Sequence, residues 1–190
     1  MTEPAEPRQV LGVVLRGIRA ELDRRGLTGR VLERLRGEAR DALEHPPMHG
    51  MWKPAALHDQ VIQAIAEETN RRTVRDVICE LSRTTTGPLA LPLMKTFLSL
   101  FGLSPVSLLD NLGRISALHM RYGIHFRYEP ETGRSGWVTV TYAEPVDPVQ
   151  FAVWEGVLLF GKDLFRLSII TVDAAVPSPD GRAGRIYVAW

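Results

Sequence analysis

Apolar residues in the first half of the chain recur at helical spacing, three and four residues apart. A helix over residues 8–25 would carry on one face Leu11, Val14, Leu15, Ile18 and Leu22. Further amphipathic stretches predict helices over 27–43, 55–68 and 73–82, and residues 84–102 form an almost uniformly apolar helical stretch. The pattern therefore predicts a helical N-terminal half.

One more helix is predicted immediately before the pattern changes. Ser104 and Pro105 are a favourable helix start, and Gly123 is in the position typical of a residue just past a last turn. The apolar stripe of this helix, at spacings of four and three, is Leu108, Leu112, Ile115, His119 and Tyr122. The pattern therefore places His119 on the buried face of a helix.

Beyond Gly123 the apolar period becomes two, which is typical of strands. The pattern predicts a hairpin made of residues 124–128 and 137–142, a helix that begins at Asp147 and Pro148, and two further strands over 166–174 and 185–190. The fold class is therefore α+β: a helical subregion of about residues 8–122, followed by a ββαββ antiparallel sheet of about residues 123–190. We expect residues 1–190 to form a single domain.

Composition narrows the class of protein. The chain has 190 residues, 45% hydrophobic and 24% charged, with a formal net charge of +1. Such a balance gives no field that would attract nucleic acid or a membrane surface. Cys79 is the one cysteine, which excludes an internal disulfide and is typical of a reducing compartment. With neither a signal-peptide pattern nor a bilayer-length apolar stretch, we expect a cytoplasmic protein.

The sequence contains no signature of catalysis. Neither a nucleophile elbow nor a glycine-rich phosphate loop occurs. His45, His49 and His58 lie near Met48 and could suggest a soft metal site, but Pro46 and Pro47 interrupt any helical alignment. We therefore interpret these histidines as part of a solvent-facing loop, and we expect neither a metal nor enzymatic activity.

The order of elements resembles that of the heme nitric-oxide/oxygen-binding (H-NOX) domain and of the related four-vinyl-reductase and TRAPP-like ligand-binding domains. A myxobacterial paralogous protein family is similar in "VLGVVLRGI", "HPPMHGMW" and the terminal "RIYVAW". In the heme-binding relatives, a histidine on the long helix ligates iron. A Tyr-x-Ser-x-Arg motif on a following strand holds the heme propionates.

The resemblance implies candidate heme residues, and the sequence departs from the motif. His119 would be the iron ligand and Tyr142 the motif tyrosine, but Glu144 replaces the serine and Val146 replaces the arginine. A carboxylate beside two propionates would repel them. We therefore expect no heme or other cofactor, and we expect His119 to pack between the helix and the sheet.

Aromatic residues are concentrated where the helices should meet the sheet. They either line an apolar cavity or fill the core. The cavity candidates are Tyr122, Phe126, Trp137, Phe151, Trp154 and Phe160, together with Phe165.

These patterns favour a non-enzymatic, cytoplasmic bacterial sensory or regulatory module. It would bind a small apolar ligand or a signalling protein partner, and no nucleic acid or membrane. We expect a homodimer, because the apolar stretch 87–102 needs cover on both sides. The alternative is a heme-based gas sensor that uses His119 as the iron ligand.

Overall fold

Helices dominate the first half of the chain and an antiparallel sheet dominates the second, so the α+β prediction is confirmed. The computed structural model describes residues 6–86, 96, 104–165 and 170–190. The helices of the first part are α1 (Gly12–Arg24), α2 (Thr28–Arg34), α3 (Gly37–Glu44), α4 (Ala55–Glu68) and α5 (Arg71–Leu81). A π-helical turn, Ser82–Thr86, continues α5.

A small sheet changes the start of the predicted first helix. Residues Gln9–Leu11 form strand β1, which pairs on one side with β2 (Trp52–Pro54) and on the other with β3 (Met120–Arg121). The helix prediction was therefore wrong for residues 8–11. A two-turn apolar stripe does not distinguish a helix from a short strand, and pairing with distant segments decides between them.

The predicted helix over 27–43 is broken into two. Leu35 and Arg36 are extended, and Gly37 has a φ of +52°, a conformation that glycine adopts without strain. The break allows Leu35, Ala39 and Leu43 all to reach the helical core.

The predicted helix over 105–122 ends early. Ser104 caps it as expected, since its Oγ accepts a hydrogen bond from the Ser107 N–H at 3.1 Å. The helical residues then form α6 (Pro105–Asp110) and α7 (Leu112–Ser116). His119 lies in the turn that follows, where its carbonyl oxygen accepts from the Leu11 N–H at 2.8 Å. The prediction that His119 belongs to a helix was wrong, because pairing of β3 with β1 stops the helix.

The second half is an antiparallel sheet with one helix inserted. Its strands are β4 (Ile124–Thr132), β5 (Ser135–Tyr142), β6 (Thr171–Val172), β7 (Val176–Pro177) and β8 (Ala183–Ala189). The order is β4-β5-β8-β6, with β7 also paired to β8, so the predicted hairpin and the interior position of the C-terminal strand are confirmed. Ile186 and Val188 of β8 are buried, as expected from their alternation.

Helix α8 (Phe151–Phe165) joins the two halves. It is preceded by a 3₁₀ turn, Pro148–Gln150, and Asp147 caps that turn by accepting from the Val149 N–H at 2.9 Å. Ala152 and Val153 belong to the core of the helical half, whereas Phe151, Trp154 and Leu158 belong to the core against the sheet. The helix therefore presents different faces to two cores.

A glycine sets the distance between α8 and α5. A Cβ atom at Gly156 would lie 2.5 Å from the Arg75 carbonyl oxygen and 2.8 Å from the Ile78 Cβ. No side chain fits there unless a helix backbone moves. Beside this contact, the buried Glu155 carboxylate pairs with Arg71 of α5 and accepts from the Ala175 N–H at 2.7 Å.

Two further predictions from the sequence concern membrane-spanning helices and the apolar stretch 87–102. Within the described ranges, no helix is long and apolar enough to cross a bilayer. The apolar stretch 87–102, on which the homodimer prediction depends, lies outside the described residues except for position 96.

Substitution of Gly156 by Ala should lower the free energy of unfolding by about 2 kcal/mol, because the added methyl overlaps the α5 backbone. The matched control is Gly161→Ala on the same helix, where the nearest atom to the added Cβ is the Leu108 Cδ2 at 3.5 Å. That control should be neutral or gain up to about 1 kcal/mol in helix propensity. Chemical denaturation of both variants checks this, and equal stabilities would contradict the close approach.

Deletion of Tyr187–Trp190 should remove at least about 4 kcal/mol of stability or abolish soluble expression. It takes away the partners of β6 and of the first residues of β5, and it exposes the core beneath Val188. Thermal melting measures the effect, with the exposed Glu131→Ala as a control that should change little. An unchanged melting temperature after the deletion would refute an interior role for this strand.

Candidate functional site

A cavity of about 90 Å³ lies where the helical half meets α7 and α8. Its wall is contributed by α1, α4, α5, the π-helical turn, α7 with the turn after it, and α8. The lining residues are Val14, His58, Ile78, Leu81, Ser82, Leu112, Ile115, Ser116, His119, Met120, Val153, Trp154, Val157 and Phe160. Ten of these fourteen are apolar, so the interior favours an apolar occupant.

The size of the cavity restricts what can occupy it. An apolar cavity of about 150 Å³ in another protein holds one benzene ring. The present volume of about 90 Å³ is of the same order. A molecule of one small ring, or a few atoms, is therefore the scale of a ligand.

His58 is the buried polar group in this wall. Its side chain lies on the face of α4 that also buries Val61, Ile62 and Ile65, and it is only 1% exposed. Its Nε2 atom has no hydrogen-bond partner. The prediction that His58 belongs to a solvent-facing loop is therefore wrong. The i, i+3, i+4, i+7 spacing of His58 with those residues was the signal that could have identified it.

A partly buried ion pair lies beside the other nitrogen of the His58 ring. Nδ1 lies 3.4 Å from Oδ1 of Asp59, and Asp59 pairs with Arg8 through its second carboxylate oxygen. Burial tends to raise the pKa of the Asp59 carboxyl, but His58 and Arg8 outweigh it and hold that pKa below its usual range. Asp59 is therefore an anion, and it accepts hydrogen bonds from both neighbours.

His119 also lines the cavity, from the turn after α7. Burial lowers the pKa of its imidazole below the usual value. The ring is therefore neutral at physiological pH. The structure brings His119 and His58 to the same cavity from distant parts of the sequence.

The predicted aromatic residues divide into three groups. Trp154 and Phe160 line the cavity. Phe126 supports Trp154 from behind, with the two ring centroids 4.7 Å apart in an edge-to-face arrangement. Phe151 is fully buried in the core against the sheet, where its ring packs on Tyr142. Two of the candidates therefore line the cavity, Phe126 contacts one of these two, and Phe151 fills the core against the sheet.

The remaining predicted aromatic residues lie elsewhere. Trp137 is on the outer face of the sheet, where it packs against Tyr187 with centroids 5.2 Å apart, so it does not line this cavity. Tyr122 is 41% exposed, in the left-handed region with a φ of +64°, and is also outside the lining. The alternation of Trp137 with the buried Val138 could have shown that they face opposite ways. The side chain of Phe165 lies outside the described residues.

Tyr142, the candidate for the motif tyrosine, is engaged inside the protein. Its hydroxyl oxygen accepts a hydrogen bond from the Trp154 Nε1–H at 2.7 Å, and burial raises the pKa of the phenol. The guanidinium carbon of Arg8 lies 5.0 Å from the centroid of the Tyr142 ring. The same guanidinium group forms an ion pair with Asp59. Glu144 is exposed to solvent.

Comparison with known proteins gives a match in structure only. No protein-family model matches the chain, and no curated protein does. The Fe(II) unliganded H-NOX protein from K. algicida superposes with a TM-score of 0.65 over 94% of this chain and 95% of that one, at 10% identity. The chain has the H-NOX fold. A Cs H-NOX mutant gives a TM-score of 0.57 at 12% identity, over 94% of this chain and 95% of that one. An oxygen-binding H-NOX domain related to soluble guanylate cyclases gives 0.53 at 10% identity, over 94% and 93%.

The H-NOX likeness confirms the resemblance at the level of fold and raises the question of heme. The described residues do not fit that group. A heme macrocycle contains four pyrrole rings, several times the size of a ring that fits a cavity of about 150 Å³, whereas this cavity measures about 90 Å³. Its lining, as described, contains no lysine or arginine for the propionates.

Replacement of His58 by Leu should raise the free energy of unfolding by about 1 kcal/mol in the absence of ligand. It removes a buried nitrogen that has no partner, a group that costs about 1–3 kcal/mol to bury. Urea denaturation measures the change. The control is His125→Leu at an exposed position of β4, which should stay within about 0.5 kcal/mol. A loss of stability in His58→Leu would contradict the prediction and would mean that the Nδ1–H bond to Asp59 contributes more than the unpaired Nε2 costs.

Proposed function

We propose that this protein is a sensory or regulatory module of the H-NOX fold that binds a small apolar ligand without heme. The observation that supports this proposal most strongly is the apolar cavity of about 90 Å³ at the junction of the two halves. The proposed role is non-enzymatic, and the support for it is that the sequence carries neither a nucleophile elbow nor a glycine-rich phosphate loop.

An empty cavity is energetically unfavourable, so filling it contributes to the free energy of ligand binding. At about 24 cal/mol per Å³ of cavity, the volume of about 90 Å³ corresponds to roughly 2 kcal/mol. A ligand that fills this space regains that packing energy and the transfer free energy of its own apolar surface. Binding in the micromolar to millimolar range is expected for a one-ring molecule.

The position of the cavity favours a sensory role. Val14 of α1, Ile78 and Leu81 of α5, and Val153 and Val157 of α8 all contact the same space. Because closely packed helix interfaces respond to small shifts, a bound ligand would alter the packing of α8 against α5. The signal would then leave the module through a changed surface of α5 or α8 toward a protein partner.

Heme-based gas sensing is the second candidate. The fold favours it, because the similar structures are H-NOX domains, some of them studied for heme distortion. His119 and His58, which share the cavity, are the residues that could act as axial ligands. Its weakness is the size and the apolar lining of the described cavity. We also propose a relation to the myxobacterial family and to TRAPP-like domains.

We also propose a homodimer in a cytoplasmic setting. The support is the sequence of the stretch 87–102, in which only Lys95, Thr96 and Ser99 interrupt the apolar residues. Such a surface requires cover on more than one side. Light scattering at micromolar concentration tests this, and a monomer would refute it.

Benzene should stabilise the wild-type protein and not a variant with a filled cavity. At ten times its dissociation constant it adds about 1.4 kcal/mol, or roughly 3–5 °C in melting temperature. Val157→Phe places a ring into the space and should abolish the shift, whereas Val176→Phe, at a site 62% exposed, should retain it. A wild-type protein unaffected by benzene and by related one-ring hydrocarbons would contradict the proposal.

Hemin titrated into the purified protein should give no stoichiometric Soret band at micromolar concentration. The expected result is weak, non-saturating absorbance that is unchanged in His119→Ala and in His58→Ala. A sharp one-to-one band that either substitution removes would establish the second candidate instead. Expression with a heme precursor provides the parallel test in cells.

A further inference from the structure

The unpaired nitrogen of His58 is the feature of the cavity that the binding of an apolar ligand leaves unexplained. A hydrophobic side chain would fill this position of α4 at lower cost, since a buried polar atom without a partner is destabilising. The side chain is 1% exposed, lines the cavity, and has no hydrogen bond at Nε2. A ligand that satisfies Nε2 would remove this cost.

The neighbours of His58 determine which kind of hydrogen bond Nε2 can make. The Asp59 carboxylate can only accept, so the ring nitrogen that faces it at 3.4 Å, Nδ1, carries the proton. Arg8 holds the carboxylate in place, and the Asp59 carbonyl oxygen accepts from Gln150 Nε2 at 3.0 Å, which fixes the start of α4. In the neutral form of the ring, the carboxylate therefore selects the tautomer whose Nε2 is an acceptor.

We propose that the ligand is a small aromatic or similarly apolar molecule that carries one O–H or N–H donor, and that this donor binds to Nε2 of His58. The inference rests on the proposed function and specifies its ligand class. Phenol-like compounds have this combination of a flat apolar body and a single donor. His58 is thereby a specificity-determining residue.

Other ligand classes match the wall less well. An anion would find no lysine or arginine in the described lining, and its charge would be desolvated by apolar side chains. A carbonyl compound without a donor would leave Nε2 unpaired. The Ser116 hydroxyl is already used, since it donates to the Gly113 carbonyl oxygen at 3.0 Å. Among the polar side chains of the described lining, only His58 has a buried atom without a hydrogen-bond partner, so a donor on an apolar body complements this wall best.

A pair of isosteric probes separates this inference from the function it rests on. Phenol and toluene have the same shape and differ in a hydroxyl against a methyl group. Calorimetric titration of wild type with each probe gives a ratio of affinities. In His58→Leu that ratio should shift against phenol by about tenfold or more, because the hydroxyl would be buried without a partner. His125→Leu, an exposed histidine on β4, should leave the ratio unchanged.

Each outcome has a distinct meaning. Binding of both probes with a ratio that does not move in His58→Leu overturns the inference and leaves the apolar cavity function standing. Binding of neither probe to wild type refutes the proposed function. In His58→Gln, whose side-chain oxygen can accept, phenol binding should be partly regained, which a purely structural role for His58 would not produce.

A spectroscopic readout tests the tautomer directly. Long-range proton–nitrogen NMR spectra of the folded wild type should show His58 Nε2 without a proton. The resonance should move on addition of phenol and much less on addition of toluene. A protonated Nε2 in the free protein would overturn the proposal, because that nitrogen would then be a donor.

Discussion

The close approach of α8 to α5 at Gly156 is the constraint on which the rest of the structure depends. A Cβ atom there would overlap the Arg75 carbonyl oxygen, so only glycine allows the two helices to touch at this point. The contact fixes α8 between a helical core and a sheet core. The buried Glu155, which pairs with Arg71 and binds the Ala175 N–H, adds a polar link on the same line.

The cavity is a consequence of this arrangement. Where α8 leaves the close contact, Val153, Val157 and Phe160 face α1, α5 and α7 without filling the space between them. Two histidines from distant parts of the sequence reach that space, one of them with a carboxylate behind it. In this chain the H-NOX fold therefore forms a cavity of about 90 Å³ with a mainly apolar lining.

Sequence patterns predicted the elements whose stability is local. The α4 helix, the cap at Ser104, the hairpin of β4 and β5 and the buried alternation of β8 all follow from spacing and capping chemistry. The errors arose where distant segments compete. Pairing of β1 with β2 and β3 shortens two predicted helices. The first begins later than predicted, the second ends earlier, and His119 lies in a turn. The loop prediction for His58 was wrong because it followed the proline-rich residues before this position. The spacing of His58 itself places it on the buried stripe of α4. No periodicity can show that an aromatic cluster leaves a space unfilled, since that depends on how far apart the backbones are held.

The most direct test of a heme-free apolar cavity is a crystal structure of the protein under xenon pressure. The protein for these crystals is expressed in cells supplied with a heme precursor. Xenon occupies dry apolar cavities of this scale. We expect a single strong xenon peak among Val14, Ile78, Val153 and Val157, within reach of His58, and no porphyrin density. Porphyrin density in that position with iron bound to either histidine would contradict it, and so would side chains packed together there with no xenon.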